Sequence, residues 1–120
     1  MKADRGIVEE VRDLAWTGHH AKAIATATGA LDAPRLDKSI ALELLGLRSE
    51  SHVAEGRLEP ALADAKKMLA MAKASGRASH LASAHNAMAL AQMRGSEFTA
   101  AAKSGRLQIS RIPWRARISR

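Results

Sequence analysis

Cysteine is absent from the 120 residues, which removes disulfides, thiolate metal sites and cysteine nucleophiles together. Aromatic side chains are confined to Trp16, Phe98 and Trp114, whereas a sheet-rich fold draws on more aromatic and β-branched residues. No apolar run approaches the ~18 residues that would cross a bilayer. The charged opening Met1-Lys2-Ala3-Asp4-Arg5-Gly6 leaves no room for the apolar stretch of a signal peptide. These absences lead to the expectation of a cytoplasmic, non-membrane chain with little sheet.

What is present points to helices. Alanine, the strongest helix former, fills 26 positions. Apolar residues make up 47% and charged residues 26%, a balance that suits a folded chain of about one domain. The net charge of +7 is unevenly placed. From Phe98 to Arg120 there are six basic residues and no acid, while the other 97 residues hold 13 basic and 12 acidic side chains. The chain therefore reads as a nearly neutral body, residues 1–110, followed by a basic segment, 111–120. A folded nucleic-acid binder would carry a stripe of Lys and Arg across its body, and that stripe is missing.

Glycines punctuate the body at a near-constant interval: Gly18 and Gly56 are 38 residues apart, Gly56 and Gly95 are 39. A fixed period of this size is the signature of stacked repeats. Between the glycines the apolar spacing is helical. Ile7, Val11 and Leu14 mark one stripe, and Ala21, Ile24, Ala25 and Thr28 mark a weaker one that stops near Pro34. Ile40, Leu44 and Leu47 mark a third; Leu58, Ala61, Leu62, Ala65, Leu69 and Ala72 mark a fourth. Pro60 sits in a first turn, where its missing N–H costs nothing, and Ser75-Gly76 supplies a stop. Leu81, Ala84, Met88 and Ala91 give a fifth helix. Gly95-Ser96 then predicts a stop followed by an N-cap, with a sixth helix opening at Phe98, Ala101 and Ala102. The expected units cover about 4–34, 36–75 and 77–109.

Aligned on the glycines, these units resemble tetratricopeptide (TPR) repeats. Five residues after each glycine stands Ala23, Ala61 or Ala100, and nine residues after it Ala27, Ala65 or Ser104. Small residues there let two helices cross closely. The small residue seven before the glycine is present only as Ser49, with Val11 and Met88 at the equivalent sites, and the family's closing proline is missing. The period also exceeds the family's standard length of about 34 residues. Longer units are similar to the TPR arrays of large bacterial regulators and of cyclases or kinases that carry sensor arrays. The resemblance implies an all-α, right-handed α-solenoid of about three antiparallel helix pairs; a plain helical bundle is the competing arrangement.

In such arrays the first helix of each pair lines a concave groove. The resemblance aims Val8, Gly46 and His85, then Arg12, Glu50 and Ala89, then Ala15, Val53 and Gln92 into it. Arg12, Glu50, His85 and Gln92 are the polar contacts it offers to a peptide or protein segment; a merely solvated helix face is the alternative. The implied function is a non-catalytic interaction scaffold in a signalling or regulatory system, with self-association through an open end as a further expectation.

Neither metal nor catalytic chemistry is spelled out. His19 and His20 are adjacent and His80 and His85 are five apart, so neither pair shares a helical face as ligands would. His19 reads as the residue opening the helix after Gly18, and His52 as an inter-helix filler. No Gly-x-Ser-x-Gly elbow and no phosphate-binding glycine loop occurs, so neither enzyme activity nor a cofactor is expected. The last ten residues carry Arg111, Trp114, Arg115 and Arg117 as candidate contacts. Ile112, Trp114 and Ile118 share the apolar side of an extended segment. Capping of the last helix pair or docking on a partner is the first reading; attraction to nucleic acid or an anionic surface is the second.

Overall fold

The structure, a computed structural model, describes residues 2–103. Five helices follow one another: α1 (Lys2–Trp16), α2 (His20–Leu31), α3 (Lys38–Ala54), α4 (Leu58–Ser75) and α5 (Ala78–Lys103). The described residues include no strand, as the composition predicts. None of the helices is long and apolar enough to cross a membrane.

Helix ends follow local chemistry. At the close of α1, Gly18 takes φ +82°; its N–H reaches the Ala15 carbonyl at 3.1 Å, and the His19 N–H reaches Leu14 at 2.8 Å. At the close of α3, Gly56 takes φ +76°; its N–H reaches Val53 at 2.9 Å, and the Arg57 N–H reaches His52 at 2.8 Å. Both are Schellman turns, in which a left-handed residue lets two late carbonyls be satisfied. Every partner in the second lies 38 positions after its counterpart in the first. α3 opens on Asp37, whose Oδ2 accepts from the N–H groups of Ser39 (3.0 Å) and Ile40 (3.2 Å), a cap worth about 1 kcal/mol. Gly76, at φ +70°, ends α4 as the sequence predicts.

The main packing is between near neighbours. α1 rests on α2 and α3, α2 on α1 and α3, α4 on α3 and α5, and α3 on α5. Two apolar clusters result. Val8 and Val11 of α1, Ala23 and Ala27 of α2, and Ile40 and Leu44 of α3 form the first. Leu42 and Leu45 of α3, Ala65, Met68 and Ala72 of α4, and Ala84 and Ala87 of α5 form the second. α3 thus serves both clusters, one from each side. The alanines at the helix crossings, Ala23 and Ala61, are completely buried, which fits their assignment as close-approach positions.

One expected boundary is corrected. The chain does not stop at Gly95 but continues as α5 to Lys103, a 26-residue helix in place of the predicted helix pair. The Thr99 hydroxyl donates to the Gly95 carbonyl at 2.9 Å, and Arg94 pairs with Glu97 at 3.5 Å, so side chains bridge the glycine along the helix. Gly95 lies beside Leu58, the first residue of α4, its Cβ direction 3.9 Å from Leu58 Cδ1. The eight residues after Gly95 therefore run past the start of α4, by about 12 Å at 1.5 Å per residue. Ala100, expected at a third crossing, is exposed there. The physical reason is the balance between propagation and turning. Extending a formed helix adds one backbone bond per residue, whereas reversing it must be offset by new packing. α2 and α4 each gain that packing from helices on two sides; a helix returning at Gly95 would find only α5 and α4 on one flank among the described residues.

Candidate functional site

α1, α3 and α5 lie side by side, and their common face holds a groove of about 380 Å³. Leu42, Leu47, Met68, Ala87 and Leu90 supply its apolar surface; Arg12, Glu43, Glu50, Ser83 and Asn86 supply its polar rim. Gly46 deepens it. A Cβ at that position would stand 3.3 Å from the Met68 methyl, so glycine lets the α4 side chain reach up between the first helices. The α3 lining residues 43, 46, 47 and 50 and the α5 lining residues 83, 86, 87 and 90 share the spacing i, i+3, i+4, i+7, which is one face of a helix.

The rim is electrically structured. Arg5 holds Glu43 with two bonds, of 3.1 and 2.8 Å. Arg12 donates to Glu9 at 3.0 Å and lies 3.5 Å from Glu43. Glu50 has no hydrogen-bond or ion-pair partner among the described residues. Partial desolvation by the groove walls pushes its carboxyl above the usual range, and the positive charge of Arg12 opposes this only in part. An incompletely compensated carboxylate facing an apolar surface is a ready recognition point for a cation or an N–H donor.

Of the polar residues assigned by sequence, Arg12 and Glu50 do line the groove, as does Gly46. His85 and Gln92 do not. His85 is exposed outside the groove, and Gln92 lines a separate hollow with Gly95, Ser96, Thr99 and Ala100. Val8, aimed at the groove by the same alignment, is wholly buried in the first cluster. The displacement on α5 has a simple origin: Gly95 is helical, so counting back from it misplaces the register by about one residue, and Asn86 and Leu90 take the expected places. Glu43, Ser83, Asn86 and Leu90 were missed; the shared 3-4-7 spacing on α3 and α5 is the signal that would have found them. Arg111, Trp114, Arg115 and Arg117 lie outside the described residues.

Beneath the groove, α3 and α4 are joined by buried polar contacts that the sequence did not reveal. Arg48 grips Asp64 with Nε at 2.9 Å and Nη2 at 2.7 Å, and its Nη1 donates to the Thr28 hydroxyl at 3.0 Å. The Asp64 carboxylate raises the Arg48 pKa against the opposing effect of burial. His52 Nε2 stands 3.9 Å from Asp64, and burial lowers the His52 pKa although Asp64 pulls the other way. Its Nδ1 is buried without a hydrogen-bond partner. The Ser49 hydroxyl donates to the Ala61 carbonyl at 2.9 Å, so the small residue on α3 meets the crossing alanine directly.

The remaining histidines are joints. His20 Nδ1 bonds the Ser51 hydroxyl at 3.1 Å, and His80 lies between the hydroxyls of Ser39 (3.3 Å) and Ser75 (2.9 Å). His19 occupies the N-cap position of α2 and meets the Thr17 hydroxyl at 2.8 Å. Among the described residues no group of three or more His, Asp or Glu side chains could hold a metal ion. The means of recognition available in the groove are charge, hydrogen bonding and apolar contact. No family model, curated protein or solved structure matches the chain.

Proposed function

We infer that the chain is a non-catalytic interaction module whose groove holds a segment of another polypeptide, within a signalling or regulatory system. The observation that carries this reading is the groove itself: three helices present one continuous face with an apolar surface and, at its rim, a partly desolvated Glu50 that has no partner among the described residues. Such a face suits a peptide anchored by a few apolar side chains and oriented by one or two charges. The TPR-like solenoid reading is supported by main packing between near neighbours, by two Schellman turns 38 residues apart and by buried alanines at the crossings. On that reading α1, α3 and α5 are the first helices of successive units and line the concave side.

The test is selection of peptides from a random displayed library on the full chain, followed by binding to two groove-blocking variants. Gly46→Trp fills the groove from α3; Asn86→Trp fills it from an exposed site on α5, where misfolding is not a concern. The reading predicts selected peptides whose affinity drops at least about tenfold, or 1.4 kcal/mol, in both variants. Peptides that bind the blocked variants as well as the parent chain would refute it.

A further inference from the structure

We propose that the groove takes a basic-apolar peptide: a segment of another protein whose large apolar side chain lies on the groove surface while a neighbouring lysine or arginine pairs with Glu50. The proposal rests on the groove reading above and gives its ligand a sign of charge and a spacing.

The sign follows from which rim charges are already engaged. Arg12, Glu43 and Glu50 are the charged residues that line the groove. Glu43 accepts two bonds from Arg5, at 3.1 and 2.8 Å. Arg12 donates to Glu9 at 3.0 Å and stands 3.5 Å from Glu43. Both cations are therefore committed to carboxylates, and an anionic ligand would have to displace one of those pairs. Glu50 is the remainder: an exposed carboxylate with no partner among the described residues, on which Arg12 acts through its charge alone. A metal ion would call for several oxygen ligands, and no such group is present among the described residues. One carboxylate beside apolar side chains suits an organic cation.

The spacing follows from α3. Glu50 lies one helical turn from Gly46 and Leu47, and the Met68 side chain reaches up at Gly46. Side chains three and four apart stand about 5–6 Å from each other at Cβ. Leu90 of α5 continues the apolar surface. A ligand must bring its cation and its apolar side chain to one side at a similar separation. Residues two apart do this in an extended segment, and residues three or four apart in a helical one. Lysine and arginine suit the place because their methylene stems lie on apolar surface while the charged end stays in water. Apolar contact then supplies most of the affinity, and the charge pair decides orientation and partner.

A second acidic site competes for cations. Glu9, Glu10 and Asp13 of α1 border a hollow with Leu14, His19 and Lys22. Its charge attracts a basic ligand, but Leu14 is the one large apolar side chain in its lining, and Lys22 opposes the approach. It is the natural control for binding by charge without an apolar surface.

The test is selection from a displayed library of random peptides on the full chain, followed by binding of the selected peptides to charge-reversed variants. Glu50 is exposed, so Glu50→Lys tests recognition rather than folding. The proposal predicts selected peptides that share a lysine or arginine two to four positions from a large apolar residue. Replacing that cation by glutamate should weaken binding to the parent chain about tenfold, and Glu50→Lys should reverse the preference between the two peptides. Glu10→Lys and Asp13→Lys should change either affinity by less than about threefold. Peptides that Gly46→Trp blocks but that share no basic residue, or that keep their preference in Glu50→Lys, would overturn the proposal and leave the groove reading standing. Binding lost in Glu10→Lys or Asp13→Lys yet kept in Gly46→Trp would overturn it by placing the peptide in the hollow of α1 and α2. A library that yields no peptide blocked by Gly46→Trp would remove the groove reading and the proposal with it.

Discussion

The two helical hairpins α1/α2 and α3/α4 make the same turn and are held together by different means. Their Schellman turns match bond for bond at a spacing of 38. Yet the first hairpin closes on Val8, Val11, Ala23 and Ala27, all fully buried, whereas the second closes on the Arg48–Asp64 pair, with His52 and the Ser49–Ala61 bond beside it. At the positions 38 residues earlier stand Glu10, Thr26, Leu14 and Val11, so no equivalent of the ion pair exists. Turn geometry and interior chemistry are thus separable. The backbone needs a glycine that accepts positive φ and a returning helix with something to pack on; the filling between the helices is free to vary. Gly95 completes the comparison, since it has the glycine without the return.

Breaking the ion pair should have the largest effect. Asp64→Ala leaves a mostly buried guanidinium uncompensated and should cost about 3–5 kcal/mol, read as a lower urea midpoint; Thr26→Ala, the same position in the first hairpin, should change stability by less than about 1 kcal/mol. Enlarging the crossings sharpens the contrast further. Ala23→Leu and Ala61→Leu overfill closed contacts and should each cost about 1–3 kcal/mol. Ala100→Leu, on the exposed end of α5, should stay within about 0.5 kcal/mol; a large loss there would restore the third helix crossing.

Glycine-to-alanine substitutions follow. Gly18→Ala and Gly56→Ala impose a left-handed conformation on a residue with a Cβ, at about 1–2 kcal/mol each. Gly95→Ala should stabilise by up to about 1 kcal/mol, because the residue is helical and its Cβ would meet Leu58 at an ordinary 3.9 Å. The smallest effect is a pH dependence confined to the second hairpin. Burial lowers the His52 pKa below its ordinary 6.5. As pH falls through about 6.5, the unfolded imidazole takes up a proton that the folded one resists, so stability declines until the lower folded pKa is reached. Replacing His52 by Gln should flatten that part of the stability profile relative to the parent chain, while Leu14→Met in the first hairpin should leave its shape unchanged.

Legibility in the sequence followed the range of the interaction. The helices, the stops at Gly18, Gly56 and Gly76, and the crossing alanines are set by residues within one or two turns, and these were readable. The Arg48–Asp64 pair joins residues sixteen apart on different helices, and nothing local marks either as a partner. Gly95 misled because a glycine permits a turn without requiring one. That error reached the site in part: His85 and Gln92, counted from a helical glycine, missed the groove; of the residues counted from true turns Arg12, Gly46 and Glu50 reached it, and Val8 was taken into the core. Glu43 lines the groove through its place on the same α3 face as Gly46, Leu47 and Glu50, but its pairing with Arg5 joins residues 38 apart, which nothing local marks.

The most direct measurement of the central claim is amide chemical-shift mapping of the full chain with a library-selected peptide. The account predicts the largest changes on one face, at Arg12, Gly46, Leu47, Glu50, Asn86 and Leu90, spanning α1, α3 and α5 together. Changes gathered instead on the outer faces of α2 and α4, or limited to a single helix, would contradict it.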